Sequence, residues 1–524
     1  MSFGYRILKS FSRTTGRNRS GNDVKQAVNA GVCTLPPSRL HEYNGSNDGR
    51  LRMHPVPLSA SSRGTLHIYF SNLHLRDGAL SYVKLPFVNR KFVVLNSAEL
   101  ARTVLSMRST DGRLGLFLQD HVLENKGFSF QDLGEREDRH KRFLKTFLCQ
   151  RAKSLEMFLK EETGKISEQV CQTHIDCNFD VQLQQILCAV FSKLLIGEAL
   201  PADDPDKDAL WEFIERLYDL LQPAVDVPLR MFPWLRFLPF KHGRLFRAAI
   251  ESRDRVSRKY FDTQKASYEA GRVRGLVDVC LQIQAEEGTT SGDQAWLSDD
   301  YIRGLMFDTV LAGMSEMMKS MRMLILLMCH YPHVQSRVHA EINDVIGTSA
   351  MPSSNHRMEM PYTQAVLLEM LRYVSQTPLA IPHKCNKDVV LDGFVIEKDS
   401  GIFPNIFGIH HDEAIWGDPW CFRPERFLTH DGYSLLPEDH KLRQSLIPFS
   451  VGRRRCPGED FAMTRLFLVL TSLIQKLHFL PPSSGELPSA DPRLYNNQYP
   501  LYLPVFTCKA VRRPVMDAQT ESQS

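Results

Sequence analysis

Phe449-Ser450-Val451-Gly452-Arg453-Arg454-Arg455-Cys456-Pro457-Gly458-Glu459 reads as a ligand loop built around one cysteine. A thiolate that bonds a metal has to be kept charged, oriented and shielded, and the neighbours of Cys456 suit each need. Gly452 and Gly458 permit a sharp turn and a close approach of backbone to a flat ligand. Arg454 is a cationic fork suited to a carboxylate, and Phe449 supplies an apolar wall. Downstream, Phe461, Leu466, Phe467, Leu470, Leu473, Ile474 and Leu477 recur at helical spacing. Cys456 therefore stands just ahead of a helix N-terminus, where the dipole favours a negative sulfur. The bland alternative is a buried structural cysteine in a glycine turn. Arg453 to Arg455 are too few basic residues for a nucleic-acid patch.

The positions Phe449, Gly452, Arg454, Cys456 and Gly458 fill the pattern Phe-x-x-Gly-x-Arg-x-Cys-x-Gly, and in this the chain resembles the cytochrome P-450 family of haem-thiolate monooxygenases. A chance match somewhere in the chain has odds of about two or three in ten thousand. The resemblance implies a mainly α fold with a small β-sheet region, folded as a single large domain. It implies haem b, with iron bonded to Cys456, and insertion of one oxygen atom of O2 into a lipophilic organic substrate. Electrons are expected from a separate NADPH-linked redox partner protein, because the chain carries no flavin or nicotinamide fingerprint.

Composition agrees with a globular chain. Of 524 residues, 43% are hydrophobic and 24% charged, and the net charge is only +4, which excludes a nucleic-acid-binding composition. The eleven cysteines are odd in number and scattered without a Cys-x-x-Cys pair, the usage of a reduced compartment. The ten besides Cys456 are expected to be small buried apolar residues. No uncharged apolar stretch reaches the length of a membrane span. Residues 1–22 carry Arg6, Lys9, Arg13, Arg17 and Arg19 and no acid, a composition that resembles a mitochondrial presequence. Pro457-Gly458-Glu459 resembles the microsomal branch instead, so the expected location is the endoplasmic reticulum membrane, with the mitochondrion as the alternative.

Three segments are expected: a poorly ordered or presequence-like stretch at 1–64, a haem domain at 65–509 and a polar tail at 510–524. Short apolar runs at 66–70 and 92–95 read as strands, which leaves the family's first helix shortened, and 98–105 reads as a helix. Residues 108–128 are loop-like and include Asn125-Lys126-Gly127-Phe128. The charged helix expected at 135–147 ends in Lys141-Arg142-Phe143, where the resemblance places basic residues against a haem propionate. The tryptophan usual one turn earlier is missing, and Glu137 stands near its position. Propionate binding then falls to Lys126, Lys141, His383 and Arg454. Helical periodicity continues at 153–199 and 210–222. Residues 223–240 read as a proline-interrupted loop rich in leucines and aromatics, which is either core or an exposed patch for peripheral membrane contact. A basic helix is expected at 243–272.

Ser298-Asp299-Asp300 starts a helix that Tyr331-Pro332 stops, about 32 residues or roughly 48 Å long. It resembles the helix that crosses the distal face of the haem. Where that helix usually carries Ala-Gly-x-(Asp/Glu)-Thr, this chain has Ala312-Gly313-Met314-Ser315-Glu316. By the resemblance, the glycine makes space for dioxygen, while the acid and hydroxyl feed protons to it. Here acid and hydroxyl have exchanged order, and three readings stay open. Glu316 delivers the proton itself, its pKa raised by burial. Alternatively the helix has no competent relay, and the protein rearranges a peroxide-type substrate as an isomerase or dehydratase without reductase, or releases hydrogen peroxide. Or Glu316 pairs with Lys319 or Ser320 one turn on. A haem-binding homologue without catalysis completes the alternatives. The methionines at 314, 317, 318, 321 and 323 read as adaptable core packing.

Glu369 and Arg372 lie at i and i+3 on a helix after Pro361, and Arg426 lies 30 residues before Cys456. The resemblance makes these three a buried structural network. Ser375-Gln376-Thr377 and the residues up to His383 resemble a pocket-lining strand entry, and residues 496–504 read as a hairpin returning toward substrate.

Overall fold

The computed structural model describes residues 53–86, 88–115, 117–173, 176–287, 296–391, 394–496, 501 and 503–514. The presequence-like residues 1–22, and the hairpin tip at 497–500 and 502, lie outside them. The chain forms two compact units, one of residues up to 114 with 379–409 and 450–454, the other of 115–378, 410–449 and 455 onward.

The first unit is built on a six-stranded sheet in the order β1-β2-β3-β8-β5-β4. Its strands are β1 Met53–Pro55, β2 Leu80–Lys84, β3 Lys91–Leu95, β4 Gly112–Arg113, β5 His383–Lys384 and β8 Gly401–Pro404, while β6 Val389–Leu391 and β7 Phe394–Ile396 form a separate hairpin. β1 runs parallel to β2, with Met53 opposite Tyr82. The domain therefore begins inside the stretch expected to be leader, because a strand of three residues gains its stability from a partner remote in sequence. The run expected as a strand at 66–70 is instead part of α1 Leu66–Asp77. Its buried His67, Phe70 and Leu73 recur every three residues, a spacing that five residues alone do not reveal. A helix of 12 residues therefore occupies the stretch in which the strand assignment left too little room for one. Phe70 and Leu73 pack with Phe92, Val94, Leu379 and Phe403. α2 Ala98–Leu105 lies where expected, its first turn capped by Ser97, whose hydroxyl accepts the Leu100 N–H.

The second unit is helical. Its main elements are α3 Glu135–Thr173, α4 Asp180–Ile196, α5 Ala209–Leu221, α6 Pro223–Met231, α7 Lys241–Ser257, α8 Leu276–Glu286, α9 Asp299–His330, α10 Pro332–Val345, α11 Pro361–Val374 and α12 Glu459–Lys476. α3 runs unbroken past the end expected at 147, since Leu148 to Ala152 contain no helix breaker. The proline-interrupted loop is largely helix, α6 followed by a 3-10 turn at Pro233–Phe237. The basic helix ends earlier than expected, passing from α7 through a π turn to Ala266. α9 has the expected bounds, and Met314, Met317, Met318, Met321 and Met323 are buried in the core. β9 Leu477–Leu480 pairs with β10 Lys509–Arg512, so the start of the polar tail is a strand.

Cys149, Cys177, Cys188, Cys280, Cys329, Cys385, Cys421, Cys456 and Cys508 are free thiols; Cys149 and Cys421 are exposed, contrary to the expectation of burial. No helix among these residues is long and apolar enough to cross a membrane.

Candidate haem-ligand and proton-delivery site

Cys456 lies three residues before α12. Its N–H donates to the Phe449 carbonyl at 3.0 Å, which closes the loop. The Gly458 N–H reaches the Cys456 sulfur. Burial pushes the thiol up to about 11, with the Gly458 N–H and the Lys141 ammonium opposing, and Glu459 and Glu316 adding to the rise. Yet Cys456 keeps accessible surface. So desolvated a thiol stays protonated at neutral pH unless a metal cation bonds it, which is the demand that haem iron would meet.

The two glycines of the loop differ. Gly452 has φ +73°, and a Cβ there would collide with the Leu105 carbonyl, so glycine is required. Gly458 has φ −94°, and a Cβ would make only ordinary contacts, 3.7 Å to Leu148 and 3.9 Å to the Cys456 sulfur. The turn expected at Gly458 needs no glycine; its role is the N–H aimed at sulfur.

In the first unit, Arg454 is buried and its Nε donates to the Asp111 carbonyl at 2.8 Å. His383 is buried on β5, its Nδ1 2.8 Å from the Thr110 carbonyl. Consecutive carbonyls of one segment thus orient both residues. Arg453 pairs with the Asp111 carboxylate at 2.8 Å, and in the second unit Arg455 pairs with Glu459 at 2.6 Å.

Lys126 and Lys141 have different surroundings. Lys141, on α3, acts on the Cys456 charge, whereas the Lys126 ammonium rests 4.9 Å from the centre of the Tyr301 ring. Glu137, whose charge the sequence sets against a propionate unless it turns outward, is buried at its own helix start instead. It accepts the Gly134 N–H at 3.1 Å and pairs with Arg136 at 3.0 Å, as a first-turn acid caps a helix.

Ala312, Gly313, Ser315 and Glu316 leave α9 in different directions. A Cβ on Gly313 would overlap the Phe191 ring of α4. This glycine lets α4 pack closely on α9. Ser315 is buried, its hydroxyl hydrogen-bonded to Tyr218 of α5. Ala312 and Glu316, one turn apart, retain accessible surface. Gln376 Nε2 donates to Glu316 Oε2 at 2.6 Å, and Thr377 Oγ1 donates to the same oxygen at 3.3 Å. Glu316 is thus hydrogen-bonded to neither Lys319 nor Ser320; Ser320 donates to Gln376 Oε1 at 2.8 Å. Burial raises the Glu316 carboxyl, with Lys319, Gln376 and Thr377 opposing.

Glu369, Arg372 and Arg426 are brought together. Arg372 grips Glu369 through two bonds of 2.8 Å, and Arg426 Nε reaches Glu369 Oε1 at 3.2 Å, all three buried. Both arginines also donate to carbonyls between residues 410 and 421. Sequence reading missed Phe191, Tyr218, Gln376 and Thr377. The last two stood in a quoted motif, but nothing local marks which helix they face.

The cytochrome P450 family model matches residues 54–505. The chain is 27% identical over 440 residues to the steroid 17-alpha-hydroxylase/17,20 lyase of Ictalurus punctatus, covering 82% of this chain and 84% of that protein. Against the protein of that name from Oryzias latipes, identity is 28%, covering 83% and 85%. Cytochrome P450 2D27 of Mesocricetus auratus is 28% identical, covering 84% and 89%.

Proposed function

The chain belongs to the cytochrome P450 family and is a haem-thiolate monooxygenase, and on that premise we propose that it oxygenates a steroid-like lipophilic substrate, with Glu316 delivering the proton. The observation that carries this reading is Glu316, partly accessible one turn from exposed Ala312, with Met314, Ser315, Met317 and Met318 buried between and beside them. The relatives that support the substrate class carry steroid hydroxylase names over more than four fifths of the chain. They favour oxygenation over rearrangement of a peroxide.

Haem b supplies dioxygen activation when bound, the Cys456 thiolate pushing electron density onto its iron. The chain's own residues orient and protonate. Cys456 holds the metal and the Gly458 N–H steadies its sulfur. The carbonyls of Thr110 and Asp111, which orient His383 and Arg454, support a propionate role for those two. Lys141 is a further propionate partner, supported by its pull on Cys456; Lys126 joins only on leaving Tyr301. Glu369, Arg372 and Arg426 are structural, because a buried carboxylate bridging two guanidinium groups leaves an uncompensated charge if any member is lost. Glu316, whose carboxyl burial raises, is the residue that gives the proton.

Electrons come from an NADPH-linked redox protein. Exposed Phe232, Trp234, Phe237 and Phe240 support peripheral contact with the endoplasmic reticulum membrane. The test is a spectral titration of haem-loaded protein with steroids, fatty acids and lipid hydroperoxides, followed by product analysis with and without NADPH and a reductase. A reductase-dependent hydroxysteroid, absent in Cys456→Ala together with the red-shifted carbon monoxide band of thiolate ligation, is the expected result. Conversion of a hydroperoxide without NADPH, with no steroid turned over, would overturn the proposal.

A further inference from the structure

The sequence offers Ser315 as the hydroxyl partner of Glu316, but the Ser315 hydroxyl is spent on Tyr218 in the buried interface of α9 with α5. The hydroxyl that meets the Glu316 carboxyl comes from another element. Thr377, three residues beyond α11, donates to Glu316 Oε2 at 3.3 Å.

The carboxyl is also held in register. Gln376 Nε2 donates to Glu316 Oε2 at 2.6 Å and to the Glu316 main-chain carbonyl at 2.8 Å. That amide has one orientation available. The Glu316 main-chain carbonyl can only accept, so Nε2 is the end that faces Glu316, and the Ser320 hydroxyl donates to Gln376 Oε1 at 2.8 Å. The Gln376 carbonyl in turn accepts the Leu501 N–H at 2.9 Å. Accessibility sorts the same residues: Glu316 and Thr377 keep surface, whereas Ser315, Ser320 and Gln376 are buried. The accessible hydroxyl is the one beside the acid.

We infer that Thr377 is the relay hydroxyl of this enzyme, working with Glu316 across two elements, and that Gln376 and Ser320 are positioning residues that aim the carboxyl at it. The inference rests on reading Glu316 as the proton donor. Two donors occupy Oε2, so the acid's own proton resides on Oε1. When Glu316 releases that proton, the Thr377 hydroxyl proton passes to Oε2 and Thr377 takes one from a solvent hydronium ion, which leaves water. The carboxyl then carries its proton on Oε2 and regains its first state by exchange with solvent at Oε1; one solvent proton is consumed and no electrons move.

The experiment compares Thr377→Val, Thr377→Ser and Glu316→Gln with the wild type as haem-loaded proteins. Its readouts are hydrogen peroxide released per NADPH during turnover with reductase, and the Glu316 carboxyl stretch by infrared difference spectroscopy. Thr377→Val should raise the peroxide share several-fold and shift the carboxyl band, and Thr377→Ser should restore both. Substrate affinity and the carbon monoxide band report intact folding in each variant; Thr377→Ala substitutes if the valine variant does not load haem. An unchanged peroxide share and band in Thr377→Val, with a raised share in Glu316→Gln, would overturn the role of Thr377 alone. An unchanged share in Glu316→Gln would overturn the proton-donor reading, and the role of Thr377 with it.

Discussion

Glu316 sits where burial works against its charge and two donors work for it, and the net effect is a raised pKa. Lys319 of the same helix and Tyr218 of α5 face it, while Gln376 and Thr377 hold Oε2. A carboxyl raised on folding contributes stability that is present at low pH and lost as pH rises through the folded value. Glu316→Gln mimics the protonated form. Its thermal unfolding should therefore match wild type near pH 5 and exceed it near pH 8; equal curves at both pH values would refute the raised pKa. Arg465 is the opposite case. Its Nε and Nη1 are buried without a partner, while Nη2 donates to the Ala152 carbonyl at 3.2 Å and the guanidinium stacks on Phe461. Burial lowers it to about 10. Arg465→Met should stabilise the fold by about 1–3 kcal/mol at pH 7, by removing unsatisfied donors, and chemical denaturation measures the gain. The gain should shrink as pH approaches the lowered value.

At the scale of elements, α9 is placed by close approach to its neighbours. Gly313 lets α4 lay the Phe191 ring on its backbone, and a Cβ on Gly304 would meet the Lys126 carbonyl. Asp308, one turn beyond Gly304, accepts the N–H groups of Phe128 and Ser129 at 2.7 and 3.1 Å. Gly313→Ala should cost about 1–3 kcal/mol through overpacking, and Phe191→Leu in the same chain should recover part of the loss, read from paired unfolding curves. If Gly313 served dioxygen space instead, the single variant would keep its stability. The bounds of α9 were legible because Ser298, Asp299 and Tyr331-Pro332 carry local start and stop chemistry. Which face of it carried the chemistry was not, since the 3.6-residue period says only that Ala312 and Glu316 share a stripe.

For the whole molecule, the exposed aromatics Phe232, Trp234, Phe237 and Phe240 form one end of a short apolar segment in which Val225 and Leu229 are buried while Val227 and Met231 are exposed. That division turned the either-or of core and patch into both, alternating along one helix and its 3-10 extension. Trp234→Glu with Phe237→Glu should weaken binding to phospholipid vesicles by an order of magnitude in sedimentation, with haem content unchanged. Undiminished binding would exclude this patch as the attachment site.

By itself the sequence determined the ligand loop, the helical class, the bounds of α9 and the membership of the Glu369, Arg372 and Arg426 network. Each rests on spacing within one segment or on a motif whose residue types have few other uses. Tertiary structure alone decided that residues 66–70 are helix, that Met53–Pro55 join the sheet, and that Gly313 packs while Gly458 points its N–H at sulfur. It also decided that Thr377, rather than Ser315, meets Glu316. For the sheet, Gly313 and Thr377 the physical reason is the same: a strand partner, a facing ring or a donor from another element lies far away in the chain, and local periodicity carries no record of it; the helix at 66–70 and the Gly458 N–H are local, but a run so short fits more than one conformation.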